Sequence, residues 1–192
     1  KNQKHKIYSR KSSRINYLAF STQKKPFDNI LVRKSFLFAI DPNKVTNDIL
    51  MGEGIPANRG FIPEINGYLA DTNFIIEHDP LKAKSLLAQA GYPSGNGFPE
   101  LTLWVNTLPG TSTNKWTQNI TEQLKTHLGI EVNIKLCSFI ERQNAIKKGD
   151  ALFWKTGWIA DYPDPESIVS LFYKNYSQIN PSWGNVSCLN RD

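Results

Sequence analysis

Cysteine, histidine and methionine are scarce in this 192-residue chain, which has two cysteines, three histidines and one methionine. Cys137 and Cys188 lie far apart and form neither a CxxC pair nor a zinc-binding pattern. One disulfide between them and two buried free thiols are both compatible with this spacing. The histidines, His5, His78 and His127, occur singly. The sequence therefore predicts no metal site.

Long apolar runs are also absent. No segment reaches the roughly 18 consecutive apolar residues that a membrane helix needs, and no apolar stretch follows the polar first residues as it would in a signal peptide. The composition, 40% hydrophobic and 21% charged, is typical of a soluble globular domain of ordinary size. Because the chain begins at Lys1 without a methionine, we interpret it as a piece of a longer protein.

The common catalytic signatures are missing as well. The sequence contains no Gly-x-Ser-x-Gly elbow, no Walker loop and no His-Glu-x-x-His helix. No enzyme class is therefore indicated, and no cofactor is predicted.

The excess of positive charge, +6 in total, is confined to the start of the chain. Residues 1–14 contain six of the 23 basic side chains and no acid, which leaves 17 basic side chains against 17 acidic ones in the remainder. A footprint limited to a short arm is not the basic face that nucleic-acid binding requires. We therefore predict a basic N-terminal arm at residues 1–14, a folded domain at residues 15–192, and no nucleic-acid partner.

Hydrophobic periodicity alternates between strands and helices along the chain. Strands are predicted at residues 15–21, 100–106, 130–136 and 151–158. Helices are predicted from about residue 27, from 42 to about 52, from 80 to 91, at 112–128 and 139–148, and from 165 to about 176. Three of these helices begin at an Asp-Pro pair, in which Asp caps the helix and Pro occupies its first position. The order of elements in the second half predicts an α/β fold with a βαβαβ core and a parallel sheet.

The loop after the third strand of this core combines a glycine, two aromatic residues, two prolines and two acids within residues 157–165. Ligands of open α/β sheets bind outside the carboxyl ends of the strands, and prolines reduce the entropy that a loop loses when it holds a ligand. Asp164 can cap the following helix, whereas Asp161 has no local role. Asp161 therefore either compensates the helix dipoles at this edge or receives a cationic ligand group.

Several segments together resemble a known family. They are PFDN at residues 26–29 with VRKS at 32–35 and AID at 39–41, GIPA at 54–57 with GFIP at 60–63, DPLKAKSLLAQAGYP at 79–93, GFPELTL at 97–103, and WIADYPDP at 158–165. In this order they resemble the C-terminal lobe of family 5 extracellular solute-binding proteins, the dipeptide- and oligopeptide-binding components of ABC importers. The resemblance runs from about residue 15 to about residue 176, and the tail beyond it resembles nothing in the family.

The resemblance implies a lobe of the periplasmic-binding-protein type II-like fold, which closes over a ligand against a second lobe that this chain lacks. In peptide-binding members, an Asp of the WxAD loop accepts the α-ammonium of the peptide, and Asp161 stands at that position. The Trp that lines a side-chain pocket corresponds to Trp158, and Tyr162 is assigned to the same ligand site. No basic residue for the peptide carboxylate can be placed from the resemblance.

The implied function is that of an ABC importer's receptor that captures peptides, with the membrane permease as its partner. The implied location is the periplasm, or the cell surface as a lipoprotein. Two alternatives stay open: the same fold binding oligosaccharide, metal chelate or haem, and an interaction or signalling module outside transport. A hydrolase that kept the fold is a less favoured alternative, and the chain is predicted not to be an enzyme.

Overall fold

The computed structural model describes residues 12–52, 54–63, 65, 68 and 75–172. Most of the predicted basic arm lies outside the described residues, as does the tail from residue 173, which includes Cys188 and the end of the last predicted helix. Within the described part, no helix is long and apolar enough to cross a membrane. The same part contains no cluster of three or more side chains suited to holding a metal ion.

The elements follow the predicted order. They are β1 (Arg14–Phe20), α1 (Ile30–Ala39), α2 (Pro42–Lys44), α3 (Pro80–Gln89), β2 (Leu101–Asn106), α4 (Ser112–Leu128), β3 (Val132–Cys137), α5 (Phe139–Lys148), β4 (Phe153–Ile159) and α6 (Glu166–Val169). A π-helical turn, Val45–Ile49, continues α2, and a 3-10 turn, Ser170–Phe172, follows α6. The predicted bounds of α4 and α5 are confirmed. The prediction of one continuous last helix is wrong for the described residues, because α6 tightens into the 3-10 turn after one turn.

The four strands form one sheet in the order β1-β4-β2-β3. Strands β3 and β4 both pair in parallel with the central strand β2, so the consecutive elements β2, α4, β3, α5 and β4 confirm the predicted βαβαβ core. Strand β1 pairs antiparallel with β4 and forms one edge of the sheet.

The three Asp-Pro pairs stand at helix starts: α2 and α3 have Pro at the first helical position, as predicted, whereas α6 begins one residue later, at Glu166. The Asp41 carboxylate accepts the N–H of Asn43 at 2.9 Å, and the Asp79 carboxylate accepts the N–H of Lys82 at 2.9 Å. The Asp164 carboxylate accepts the N–H of Glu166 at 2.8 Å. Each carboxylate satisfies one backbone donor that the first turn of a helix leaves unpaired. The role of Asp164 is therefore structural, which separates it from Asp161.

Strand β4 is held on both faces of the sheet, because successive side chains of a strand point to opposite sides. On one face the Phe153 ring lies in an aromatic cluster, with ring centroids 5.1 Å from Phe20, 5.9 Å from Phe27 and 5.8 Å from Phe36. On the other face, the fully buried Trp154 packs against α5. Full burial of one such side chain contributes about 1.5–3 kcal/mol. The core thus fixes the first half of β4, and the ligand-site candidates Trp158, Asp161 and Tyr162 lie at and beyond its other end.

Candidate ligand-binding site

Strand β4 extends beyond the end of β2, the central strand with which it pairs. The last residue of β4 paired with β2 is Lys155, opposite Val105, and β2 itself ends at Asn106. On its other side β4 remains paired with β1 up to Ile159, opposite Arg14. The predicted loop at 157–165 therefore begins later than expected, because residues 157–159 belong to the strand.

The β1–β4 hydrogen bonds determine where the backbone of this extension points. The N–H of Ser21 donates to the carbonyl of Leu152 at 2.9 Å, and the N–H of Ala160 donates to the carbonyl of Ser13 at 3.0 Å. In an antiparallel pair, backbone groups alternate between facing the partner strand and facing away from it. The backbone N–H and C=O groups of the even-numbered residues of β4 therefore point toward β1. Those of Gly157 and Ile159 point to the opposite side, away from β1. We call the backbone of residues 157–159 the open edge, since β2 does not reach it.

Gly157 keeps one face of the open edge flat. A Cβ atom there would lie 2.8 Å from the Asn16 side-chain oxygen and 2.9 Å from the carbonyl oxygen of Ile15. The second neighbour is backbone and cannot rotate away, so a larger residue would push β1 from β4. Glycine at position 157 therefore leaves the backbone accessible, where a larger side chain would disturb the pairing of β1 and β4.

Two basic side chains lie where the pairing with β2 ends, and we call Lys155 and Arg142 the cationic pair. Arg142, on α5, donates from Nη1 to the carbonyl oxygen of Lys155 at 2.6 Å. Burial lowers the pKa of Lys155 to about 8, and the positive charges of Arg142 and Arg14 lower it in the same direction. No described acid forms an ion pair with either member of the cationic pair. Lys155 is thus charged below about pH 8 and has no described counterion.

The loop after β4 carries the opposite charge. The backbone N–H of Asp161 donates to Ser167 Oγ at 2.9 Å, which fixes this residue to the start of α6. The Asp161 carboxylate is exposed, and no described residue donates to it. Asp161 is therefore positioned by its backbone while its charge stays available, as a ligand anchor requires.

Tyr162 is exposed next to Asp161, and its hydroxyl donates to a carboxylate oxygen of Glu166. This hydrogen bond raises the pKa of Tyr162, and the charges of Glu166, Asp164 and Asp161 raise it further. Asp161, Asp164 and Glu166 concentrate negative charge here, and we call residues 161–166 the acidic loop. Asp161 and Tyr162 thus lie together at the end of β4.

Trp158 is less exposed than the other two predicted ligand-site residues, Asp161 and Tyr162. Its ring packs against an apolar cluster formed by Ile15, Ile65 and Ile168 on the face of the sheet opposite Lys155. Its indole N–H is buried, and no described group accepts it. This packing gives Trp158 a structural role in holding the end of β4, beside the ligand contact that the sequence predicts.

Large apolar side chains border the carboxyl edge of the sheet. Leu108 after β2, Phe139 and Ile140 after β3, and Ile159 at the end of β4 are each more than half exposed. Exposed apolar side chains that gather at one edge are typical of a surface that another group covers. The open edge thus lies between an acidic loop, a cationic pair and an apolar border.

Sequence reasoning proposed Asp161, Trp158 and Tyr162 as ligand-site residues and did not single out the cationic pair. A lysine inside the apolar strand FWKTGW and an arginine on the buried side of α5 were the available signals. Their meeting depends on the register between β4, β2 and α5, which a local pattern does not contain.

The chain is similar to known proteins in sequence and in structure. Residues 1–180 match the family described as bacterial extracellular solute-binding proteins, family 5 Middle. Heme-binding protein A of Haemophilus influenzae is 31% identical over 170 residues, which make up 87% of this chain and 30% of that protein.

Two solved structures show the same likeness. A periplasmic oligopeptide-binding protein from Borrelia burgdorferi is 31% identical, with a TM-score of 0.77 over 90% of this chain and 33% of that chain. The periplasmic binding protein DppA from Helicobacter pylori, in complex with the peptide STSA, is 32% identical, with a TM-score of 0.70 over 82% of this chain and 30% of that chain. The chain therefore spans about a third of the length of these relatives.

The α/β fold is that of a lobe of the periplasmic-binding-protein type. The chain belongs to family 5 of the bacterial extracellular solute-binding proteins. The resemblance drawn from its motifs is thereby confirmed.

Proposed function

We propose that this chain is the C-terminal lobe of a two-lobed receptor that captures peptides for an ABC importer. The observation that carries the proposal is the open edge of β4, with an acidic loop at one end and a cationic pair at the other. On the side away from β1, no described strand pairs with the backbone of this edge. A peptide is the ligand that matches all three features. It has a backbone of alternating donors and acceptors, a positive amino terminus and a negative carboxyl terminus.

The peptide binds as an added strand. Its N–H and C=O groups pair with those of Gly157 and Ile159, a mode of recognition that gives affinity without depending on side chains. Its α-ammonium lies at Asp161 and its carboxylate at Lys155, so the peptide runs antiparallel to β4. The four residue-to-residue steps from Lys155 to Ile159 span about 13 Å, which an extended peptide of roughly four residues covers.

A second lobe completes the site in this proposal. Residues 15–192 form the C-terminal ligand-binding lobe, residues 1–14 form the basic arm, and the lobe that closes over the peptide comes from further sequence. The length of the relatives, about three times that of this chain, supports this division. The apolar border at the carboxyl edge is covered on closure. Removing water from the site strengthens both charge pairs.

The proposed role is capture and delivery, without chemical change of the ligand. Trp158 supports the wall behind Asp161, and Tyr162 borders the amino-terminal subsite. The receptor is exported, either free in the periplasm or held at the cell surface as a lipoprotein, and it passes peptide to a membrane permease.

Mass spectrometry of ligands that remain bound to the complete two-lobed receptor, purified from its native host, tests this function. Short peptides with free termini are expected. Oligosaccharide, metal chelate or haem as the dominant ligand would replace the peptide assignment, and the Haemophilus influenzae relative is named a heme-binding protein. A receptor that carries no solute would favour an interaction or signalling module.

Strand addition predicts an alternating response to backbone methylation of the ligand. In a series of tetrapeptides with free termini, each N-methylated at one amide, methylation of an amide that faces β4 should weaken binding by about tenfold or more. It removes one hydrogen bond and leaves a carbonyl partner unpaired. Methylation of an amide that faces away should change affinity little.

The affinities of this series are measured by calorimetry with the complete receptor. The unmethylated peptide is the control, and all peptides keep the same free termini. A uniform response at every amide would contradict strand addition and would leave recognition to the termini and side chains.

A further inference from the structure

Arg142 is a buried charged residue without a described counterion. Its side chain is 4% exposed, and it lies on the face of α5 that also buries Ala145 and Ile146. Its Nη1 donates to the Lys155 carbonyl, its guanidinium carbon lies 5.4 Å from the centre of the Phe139 ring, and its Nε has no described hydrogen-bond partner. An alkyl side chain would fill this position in α5 at lower cost, because burying an unpaired charge is unfavourable.

The position of Arg142 connects it to the ligand site. The carbonyl that it contacts belongs to the last residue of β4 that pairs with β2, which is also the lower limit of the open edge. The guanidinium therefore lies beside the place where a bound peptide strand ends.

The charges that act on Lys155 itself are positive. Lys155 comes from β4, Arg142 from α5 and Arg14 from β1, and both arginines act electrostatically on Lys155. From α4 the neighbour is Trp116, an uncharged ring whose centre is 5.7 Å from Lys155 Nζ. On α5 the carboxylate of Glu141, next to Arg142, is paired with Lys135 of β3 at 3.1 Å. The other described carboxylates of the site belong to the acidic loop at the far end of the open edge. An anion that enters beside Lys155 would offset several positive charges at once.

We propose that Arg142 is a positioning residue that makes this end of the site select ligands with a negatively charged terminus over neutral ones. The inference rests on the proposed function, and it concerns which ligands the site prefers. Arg142 acts through Lys155: it holds the Lys155 backbone at the limit of the open edge, and its buried positive charge adds to the field that an incoming carboxylate meets. Lys155 makes the direct contact.

The test compares two tetrapeptides that differ only at the carboxyl terminus, one a free carboxylate and the other a carboxamide. The complete receptor is measured by calorimetry as the wild type, as Arg142→Gln and as Arg142→Lys. Gln keeps a donor for the Lys155 carbonyl but removes the charge, whereas Lys keeps the charge. Lys147→Gln, on the exposed face of the same helix, is the matched control for loss of one positive charge from α5.

The wild type should prefer the carboxylate by about ten- to a hundredfold, the range expected for a charged hydrogen bond. Arg142→Gln should reduce this ratio to within a few fold, and Arg142→Lys and Lys147→Gln should keep most of it. Equal weakening of both peptides by Arg142→Gln would overturn the proposal and make Arg142 a purely structural residue, as would an unchanged ratio. A wild type that binds neither peptide would instead contradict the proposed function.

Discussion

Replacing Asp161 by Asn in the complete two-lobed receptor is expected to weaken the binding of peptides with a free amino terminus by about a hundredfold or more. The carboxylate is positioned through its backbone bond to Ser167 and has no described partner of its own. When the lobes close, it and the peptide ammonium form a pair shielded from water. Removing one partner of a buried charge pair costs about 3–5 kcal/mol, and about 1.4 kcal/mol corresponds to tenfold in affinity.

A double-mutant cycle separates this pair from other effects. An acetylated peptide lacks the ammonium, so it should bind the wild type as weakly as the free peptide binds Asp161→Asn. The two losses should not add when combined, because they remove the same interaction. Additive losses, or an Asp161→Asn receptor that binds like the wild type, would place the anchor elsewhere and leave Asp161 as a residue that compensates the helix dipole.

Asp164→Asn is the matched control for this cycle. It removes one negative charge from the same acidic loop, and Asn preserves the cap on the N–H of Glu166. It should change peptide affinity by less than about threefold, the effect of an exposed charge. A loss as large as that of Asp161→Asn would show that the overall charge of the loop attracts the ligand.

The isolated 192-residue chain gives a second comparison. Without the opposite wall, the same charge pair is in contact with water and is worth about 0–1 kcal/mol. The chain should therefore bind peptide poorly, and Asp161→Asn should have almost no effect in it. Low-micromolar binding by the isolated chain would contradict the need for a second lobe.

Local sequence signals account for most of the fold. Helix α4 was predicted with its observed bounds because both ends are encoded locally. The Thr111 hydroxyl accepts an N–H at the start, and Gly129 adopts a left-handed conformation at the end. The limits of the last helix were harder to predict, because the 3-10 turn after Val169 carries no residue that ends a helix by itself.

The candidate site was predictable only in part, because local sequence signals do not show which elements meet in the fold. Asp161 follows a strand and lacks a capping role, and both facts can be read from neighbouring residues. The open edge exists because β2 ends level with Thr156 while β1 continues to pair with β4. The contact between Arg142 and Lys155 likewise joins residues from two elements that meet only in the fold. Such features depend on strand register, which periodicity does not specify.

The second large effect concerns the stability of the βαβ unit that contains β2 and β3. Gly129, after α4, has a φ of 72°, and a Cβ atom there would lie 2.3 Å from the backbone oxygen of Ser94. Gly97 has a similar φ of 76°, but nothing lies within 4 Å of its Cβ position. Both Gly→Ala substitutions incur the cost of the left-handed conformation, but Gly129→Ala alone forces two backbone segments apart.

Gly97→Ala should therefore cost about 1–2 kcal/mol, the penalty for a left-handed alanine. Gly129→Ala should cost about 2–5 kcal/mol, because overpacking adds about 1–3 kcal/mol. Urea unfolding of the isolated chain measures both free energies of unfolding, with the slope of the transition as the check that the unfolded states are comparable. Equal costs would mean that the turn at Pro93–Gly95 moves away from α4 freely. A larger cost for Gly129→Ala would show that this backbone contact fixes the return of the chain from α4 to β3.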